Sequence, residues 1–510
     1  MKEPSAPRVF LVGAGPGDPG LLTLRAVECL ARADLVLYDK LVPPRLLDFA
    51  NPAAERRCVA DLPGTHPQRW PHIVRVLFDA VRQGKTVVRL KGGDPLVFGR
   101  GAEEAEELRA AGIPYEIVPG VTAALAAAAC AEIPLTHRGL ASAVALVTGH
   151  ENPTKPPPRL DWPALARFPG TLAVYMGMAR LDLIAKVLIE HGKPPDTPAA
   201  VVASAGTGDQ QRVTASLADL PDAVRSAGLA APALILIGPA VGSAPARSWF
   251  EARPLFGRRV LVTRPRSQAA DFVRRLEQLG AVPYVLPAVE IRPLDDWSEV
   301  DDRLARLGEY DWLVFTSANG VHAFLGRLRQ TGRDLRALAG LKLAAIGPGT
   351  AEALRAFHLD ADLVPDEYRS EALAAALAGR AAGQRLLLAR ADRGRDLLRE
   401  ELAKVATVDQ VTVYRQSDAV PADAEVHDAL RRGEIDFVTL TSSNIARALL
   451  RSLDEISRAR VHAGDVRLVT ISPVTSAAVA ELGFPVAAEA TEYTTDGLVQ
   501  ALMKLAGAAG

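Results

Sequence analysis

Short Val/Leu/Ile-rich runs recur along the whole chain, each followed by a stretch of helical periodicity, and this alternation restricts the fold more than any other feature. The runs Arg8–Val12, Asp34–Tyr38, Thr86–Leu90, Ala143–Val147, Ala233–Ile237, Arg259–Thr263, Trp312–Thr316, Lys342–Ile346, Arg385–Ala389 and Phe437–Leu440 read as strands. Apolar strands without a polar face are covered on both sides, so alternation with helices predicts α/β layers with mostly parallel sheets. At 510 residues the chain is too long for one hydrophobic core. The stretch from Gly238 to Gly257, with Pro239, Pro245 and Pro254 and no apolar periodicity, reads as the main linker. The expected division is 1–247, a linker at 248–256, and 257–510. A second Pro-rich piece, Asn152 to Pro163, reads as a loop within the first part.

The later part carries an internal repeat at an offset of 125. Tyr310–Ser317 maps onto Ile435–Ser442, Ile346-Gly347-Pro348-Gly349-Thr350 onto Ile471-Ser472-Pro473-Val474-Thr475, and Glu367-Tyr368 onto Glu492-Tyr493. Register kept over so long a stretch predicts two related α/β lobes with a cleft between them, where a ligand would bind.

Composition excludes several classes of protein. With 59 basic and 60 acidic residues the net charge is −1, which exerts no general pull on nucleic acid or an anionic membrane. Only ten of the basic residues are Lys; an Arg excess this large reflects either codon bias or a need for rigid forks that grip carboxylates. Three cysteines (Cys29, Cys58, Cys130) have neither disulfide nor metal-ligand spacing, so no metal is expected. The longest apolar run, near Val121 to Ala131, is about half of a bilayer span. Lys2, Glu3 and two prolines stand where a signal peptide needs apolar residues. A cytoplasmic protein is expected.

After the first strand comes Gly13-Ala14-Gly15-Pro16-Gly17-Asp18. A dinucleotide loop would place its third glycine at Asp18, whose charge opposes a pyrophosphate, and Pro16 lacks the N–H such a loop needs. A cationic ligand without phosphate, such as S-adenosylmethionine, suits it better. The second glycine cluster, Arg89-Leu90-Lys91-Gly92-Gly93-Asp94-Pro95, runs on through Val97 to Arg100. Val118-Pro119-Gly120-Val121-Thr122-Ala123, Ile133-Pro134-Leu135-Thr136-His137-Arg138, Tyr175-Met176-Gly177 and Glu190-His191-Gly192 follow in order.

Together these motifs, over about residues 8 to 250, resemble uroporphyrinogen-III C-methyltransferase of the tetrapyrrole methylase family. The resemblance implies a two-lobed α/β methylase, typically a homodimer, that uses S-adenosylmethionine and releases S-adenosylhomocysteine. It assigns Pro16, Gly92, Gly93, Asp94, Val97, Thr122, Ala123, Met176 and Gly206 to the cofactor and Asp39 to proton acceptance. Arg100, His137 and Arg138 would hold substrate carboxylates, or else form ordinary surface pairs. The chain departs from the family at Asp61, which falls where a proton-donating lysine is usual. Either the donor is dispensable, the proton comes from elsewhere, or methylation is impaired. No dehydrogenase–chelatase module is expected before the glycine loop.

Beyond Gly257 there is no nucleophile–base constellation. Thr316-Ser317-Ala318-Asn319 and Thr441-Ser442-Ser443-Asn444 follow strands and open helices, where they either cap the helix or offer amides to an anion. Arg264 and Arg266, and Arg390, Arg393 and Arg395 after a matching strand, add positive charge. With Val262-Thr263-Arg264-Pro265, Val413-Tyr414-Arg415 and Tyr493-Thr494-Thr495-Asp496-Gly497-Leu498, these segments resemble uroporphyrinogen-III synthase over nearly all of 257–510. The resemblance implies one lobe from about 257–291 plus 417–510 and another from about 292–416. It assigns Tyr414 to helping a hydroxyl leave, and Arg264, Thr316, Ser317, Ser442 and Thr475 to substrate. The expected activity is bifunctional: hydroxymethylbilane is closed to uroporphyrinogen III, which is then methylated twice to precorrin-2. The alternative is a methyltransferase for another corrinoid or RNA with a bilobed regulatory module.

Overall fold

The computed structural model describes residues 8–64, 70–150, 160–393, 396–419 and 423–507, without the side chain of Ser267. Lys2, Glu3, Arg395 and most of the Pro-rich piece that begins at Asn152 lie outside the described residues. The chain divides into two compact units, Met1–Gly257 and Arg258–Gly510.

The first unit contains two sheets. One is wholly parallel, in the order Glu55–Cys58, Leu35–Tyr38, Val87–Lys91, Val9–Gly13, Tyr115–Val118. Val9–Gly13 is buried along its whole length because helices cover both faces, which is why its sequence shows no polar alternation. The two central strands, Val9–Gly13 and Val87–Lys91, release the two glycine loops side by side at the carboxyl edge of the sheet, the usual place for a ligand in such folds.

The second sheet runs Val144–Thr148, Thr171–Tyr175, Ala233–Ile237, Pro198–Ala203, Gln211–Ser216, and only its first pair is parallel. This sheet departs from the mostly parallel pairing expected, which the other three sheets keep. The turn between Ala203 and Gln211 is too short for a crossover helix, so those strands form a hairpin.

Residues 248–256 are not a linker. Ser248, Phe250 and Leu255 are buried, Glu251 pairs with Arg212 at 3.1 Å, and the Trp249 indole N–H donates to the Ala129 carbonyl at 2.9 Å. The segment is irregular, so its apolar anchors carry no period; Pro and Gly alone suggested a connector.

In the second unit one sheet is parallel, in the order Val282–Val285, Arg259–Val262, Phe437–Leu440, Arg467–Thr470, Ala488–Glu489. The other runs Val289–Arg292, Thr407–Asp418, Arg385–Ala391, Trp312–Phe315, Lys342–Ala345, with Val289–Arg292 as an antiparallel edge. The chain therefore crosses to the second lobe between Val285 and Val289, a few residues before the expected 291. The repeat is structural: Trp312 faces Lys342 as Phe437 faces Arg467, and helices Pro348–Arg355 and Pro473–Glu481 keep the same offset.

Candidate active sites

The glycine loops of the first unit are packed backbone on backbone. Gly15 and Gly93, both with positive φ, exchange amide hydrogen bonds at 3.1 and 2.8 Å. A Cβ on Gly13 would lie 2.6 Å from the Cα of Gly120, so no side chain is tolerated where the three loops meet. Asp94 staples them: its carboxylate accepts from the amides of Leu96 at 2.8 Å and Gly120 at 3.0 Å. Asp18 caps its own short turn by accepting from Gly20 at 2.8 Å.

Around this crevice lie Pro16, Gly92 and Val97, all half-buried, and Thr122 and Ala123, which open helix Ala123–Ala131. The Thr122 hydroxyl is 2.7 Å from that of Tyr175, which also accepts the Ala124 amide at 3.0 Å. Phe98, whose ring is 4.8 Å from that of Tyr175, and Met176 are held in the left-handed region at φ 55 and 56. Bulky residues there store ~1–3 kcal/mol each, a strain that gathers at functional sites. Met176 is 54% exposed, so its thioether is open to a ligand. Gly206, with φ of 80, stands instead near Cys130, at the far end of the Ala123–Ala131 helix.

Asp39 ends strand Leu35–Tyr38 and is the one partly exposed member of a buried ionic chain. Arg89 donates Nη2 to Asp39 Oδ1, Nη1 to the carbonyls of Leu37 and Leu90, and Nε to Glu104 at 3.1 Å. Lys91 donates to the same Glu104 oxygen at 2.7 Å. Burial works against the charge on Arg89, and the carboxylates of Glu104 and Asp39 outweigh it; on Lys91, burial and the neighbouring Arg89 win and pull the ammonium down. This chain locks Arg89 and so aims Asp39, whose Oδ2 has no partner among the described residues. Arg89, Lys91 and Glu104 went unread as a unit: the first two precede the glycines in sequence, but Glu104 comes from the next helix.

Other expected residues lie outward. Asp61 is exposed in the turn Val59–Asp61; the Tyr38 phenol is pushed up by burial and by Cys58 and Asp61 beside it. Arg100 pairs with Glu103 at 3.3 Å and lies over the Trp70 ring. His137 and Arg138 are exposed in a tight turn, where His137 Nδ1 accepts the Gly139 amide at 3.2 Å.

In the second unit a cleft of about 410 Å³ opens between the lobes and is lined by Arg264, Thr316, Ser317, Tyr414 and Ser442. Ser317 and Ser442 each cap a helix through Oγ, accepting from Gly320 at 3.0 Å and Ile445 at 3.3 Å. Ser317 also meets the Tyr414 hydroxyl at 3.0 Å, so capping and site-building coincide in one side chain. Burial pushes the Tyr414 phenol up, partly opposed by hydrogen bonds from Ser317, Asn319 and Gln416, and it stays a protonated donor. Arg264 is pulled down by burial, and its Nε is buried without a hydrogen-bond partner. Thr475 does not line this cleft. It is buried in its helix with its hydroxyl 3.3 Å from that of Ser472, and Ile471 forms the wall. Arg390 and Arg393, which sequence placed only near the cleft, line it; Asn319 and Asn444 do too, held by Gln268 at 2.5 Å and Gln416 at 3.2 Å.

Packed glycine loops beside an aimed carboxylate, and a cleft between duplicated lobes lined by donors, define a two-part α/β enzyme. The family model of Tetrapyrrole (Corrin/Porphyrin) Methylases matches residues 8–221, and that of Uroporphyrinogen-III synthase HemD matches residues 270–500. The porphyrin biosynthesis protein HemD of Ruminiclostridium josui is 34% identical over 455 residues, spanning 88% of this chain and 89% of that protein. The uroporphyrinogen-III C-methyltransferase of Bacillus subtilis (strain 168) is 38% identical over 361 residues, 71% of this chain and 74% of that protein. Among solved structures, uroporphyrin-III C-methyl transferase from Thermus thermophilus complexed with S-adenyl homocysteine is 42% identical. It covers 46% of this chain and 99% of its own, with a TM-score of 0.39. The chain belongs to this family of porphyrin-biosynthesis proteins, with a tetrapyrrole methylase domain followed by a uroporphyrinogen-III synthase domain.

Proposed function

We propose that the second unit closes hydroxymethylbilane to uroporphyrinogen III, with inversion of the last ring and loss of water, and that the first unit methylates this product twice to precorrin-2, for sirohaem or cobalamin. The observation that carries the reading is the cleft of the second unit. A half-buried guanidinium whose Nε is buried without a hydrogen-bond partner (Arg264) and a protonated phenol (Tyr414) line one cavity with capped helix starts, suited to a poly-carboxylate whose hydroxyl must leave. Tyr414 Oη donates to the departing oxygen. Arg264, Thr316, Ser317 and Ser442 hold carboxylates, folding the chain so that inverted closure outruns the uncatalysed one.

In the first unit the crevice fits S-adenosylmethionine. It offers carbonyls, small residues and apolar cover, and Pro16 supplies no N–H for a phosphate. Pro16, Gly92, Gly93, Val97, Thr122, Ala123 and Met176 would hold it, with Asp94 fixing the loops and Gly206 approaching the shared helix from its other end. Bound there, it supplies a methyl group on a sulfonium. Asp39 Oδ2 accepts the proton that the methylated macrocycle releases, and Arg89 holds the carboxylate in line. Arg100, His137 and Arg138 are exposed cations for the propionates and acetates. Asp61 supplies no cation where the family lysine does; an Asp61→Lys variant that methylates more than tenfold faster would show the natural site to be impaired. We further place a homodimer through the first unit and a cytoplasmic enzyme; no helix of the described residues is long and apolar enough to cross a membrane. The test is to give the purified chain hydroxymethylbilane with and without S-adenosylmethionine and to identify the pigments by mass. Uroporphyrinogen III without the methyl donor and a dimethylated product with it are expected; the uninverted ring alone would refute the reading.

A further inference from the structure

The two lobes of the second unit each place an arginine at the same structural position, a correspondence the repeat offset does not contain. In the first sheet Val260 faces Phe437; in the second, Leu386 faces Trp312. Phe437 and Trp312 are repeat mates, so Val260 and Leu386 are equivalent. Four residues further along the chain in each lobe come Arg264, two residues past the end of strand Arg259–Val262, and Arg390, near the end of strand Arg385–Ala391. Both arginines line the cleft, between repeat-related walls that include Ser317 and Ser442. Their surroundings differ. Arg390 is 7% exposed, with Nη1 3.3 Å from Gln410 Oε1 and 3.6 Å from Asp396, whereas the buried Nε of Arg264 has no hydrogen-bond partner.

A cleft made of repeated donors matches a ligand with repeated acceptors, and a linear tetrapyrrole bears carboxylate side chains on every ring. We propose that Arg264 and Arg390 are paired anchors, one per lobe, that grip carboxylates on two different rings of a single linear substrate and so hold its ends in the relation that ring closure requires. This rests on the synthase reading of the cleft. The guanidinium fork matters as much as its charge, because a bidentate grip fixes the orientation of each ring.

The full-length chain tests this with hydroxymethylbilane as substrate. Arg264→Met and Arg390→Met are each expected to raise KM about tenfold or more, the loss of one charge-assisted hydrogen bond, and to enlarge the share of uninverted ring. Methylation of supplied uroporphyrinogen III by the same preparations stays unchanged and reports that the chain is folded. Should Arg390→Met fail to fold, Arg390→Lys keeps a cation beside Asp396 without the fork, and a KM increase of several-fold is expected. Wild-type KM and product ratio in either position would overturn the paired anchors while leaving the synthase reading intact. A wild-type chain that forms only the uninverted ring would remove that reading, and the anchors with it.

Discussion

Asp39 and Tyr414 are polar groups whose neighbours decide what each can do. Asp39 is partly exposed and its Oδ1 accepts from a buried Arg89, so it is oriented before any ligand arrives. Asp39→Asn is expected to lower methylation by ~10²–10⁴-fold while binding of S-adenosylmethionine, followed by calorimetry, is kept; undiminished turnover would remove Asp39 from the chemistry. In the proposed mechanism the substrate's own pyrrole assists loss of the hydroxyl, so Tyr414→Phe should keep partial cyclisation, and complete loss would contradict a positioning mechanism. The cysteines give a pH test. Burial pushes the Cys130 thiol up to about 11, so it remains protonated until pH approaches that value; Cys29 is also raised by burial. Alkylation of the native chain at pH 8, mapped by mass, should mark half-buried Cys58 alone. Modification of Cys130 at that pH would show its pocket to be open. Asp39 and Tyr414 were readable from short motifs; the partners that orient them were not.

Helix Gly101–Ala110 packs Glu104 between Arg89 and Lys91, all three nearly inaccessible to water. Removing the anion leaves Lys91 without its carboxylate and Arg89 with Asp39 alone, so Glu104→Leu should destabilise the first unit by ~3–5 kcal/mol. Denaturant unfolding of the full chain would measure it, and a change under about 1 kcal/mol would mean that water reaches the pair. The helices that start at Ser317 and Ser442 were visible from sequence because a Ser after a strand and before an apolar period is a local signal. The hairpin of Pro198–Ala203 and Gln211–Ser216 was not. A strand of mixed burial such as Gln211–Ser216 has no run of apolar residues to announce it.

Residues 248–256 matter to the first unit as a whole because they cover the carboxyl end of the helix that begins at Thr122. A chain ended after 247 loses the buried Phe250 and Leu255, each worth ~1.5–3 kcal/mol, together with the Arg212–Glu251 pair. It should therefore melt below a chain ended after 257, and scanning calorimetry of the two would show it; equal midpoints would make the segment a connector after all. The strand runs, the repeat at 125, the start of the second unit near Gly257 and the order of the glycine and Thr-Ser motifs could all be read along the chain, because each depends on residues a few positions apart. Folding alone brought Glu104 to Arg89, sent Thr475 into its helix rather than the cleft, and brought Arg390 to the same cleft as Arg264. Those contacts join segments separated by anything from one strand to a whole lobe, and burial and strand register, which no local pattern encodes, determine them.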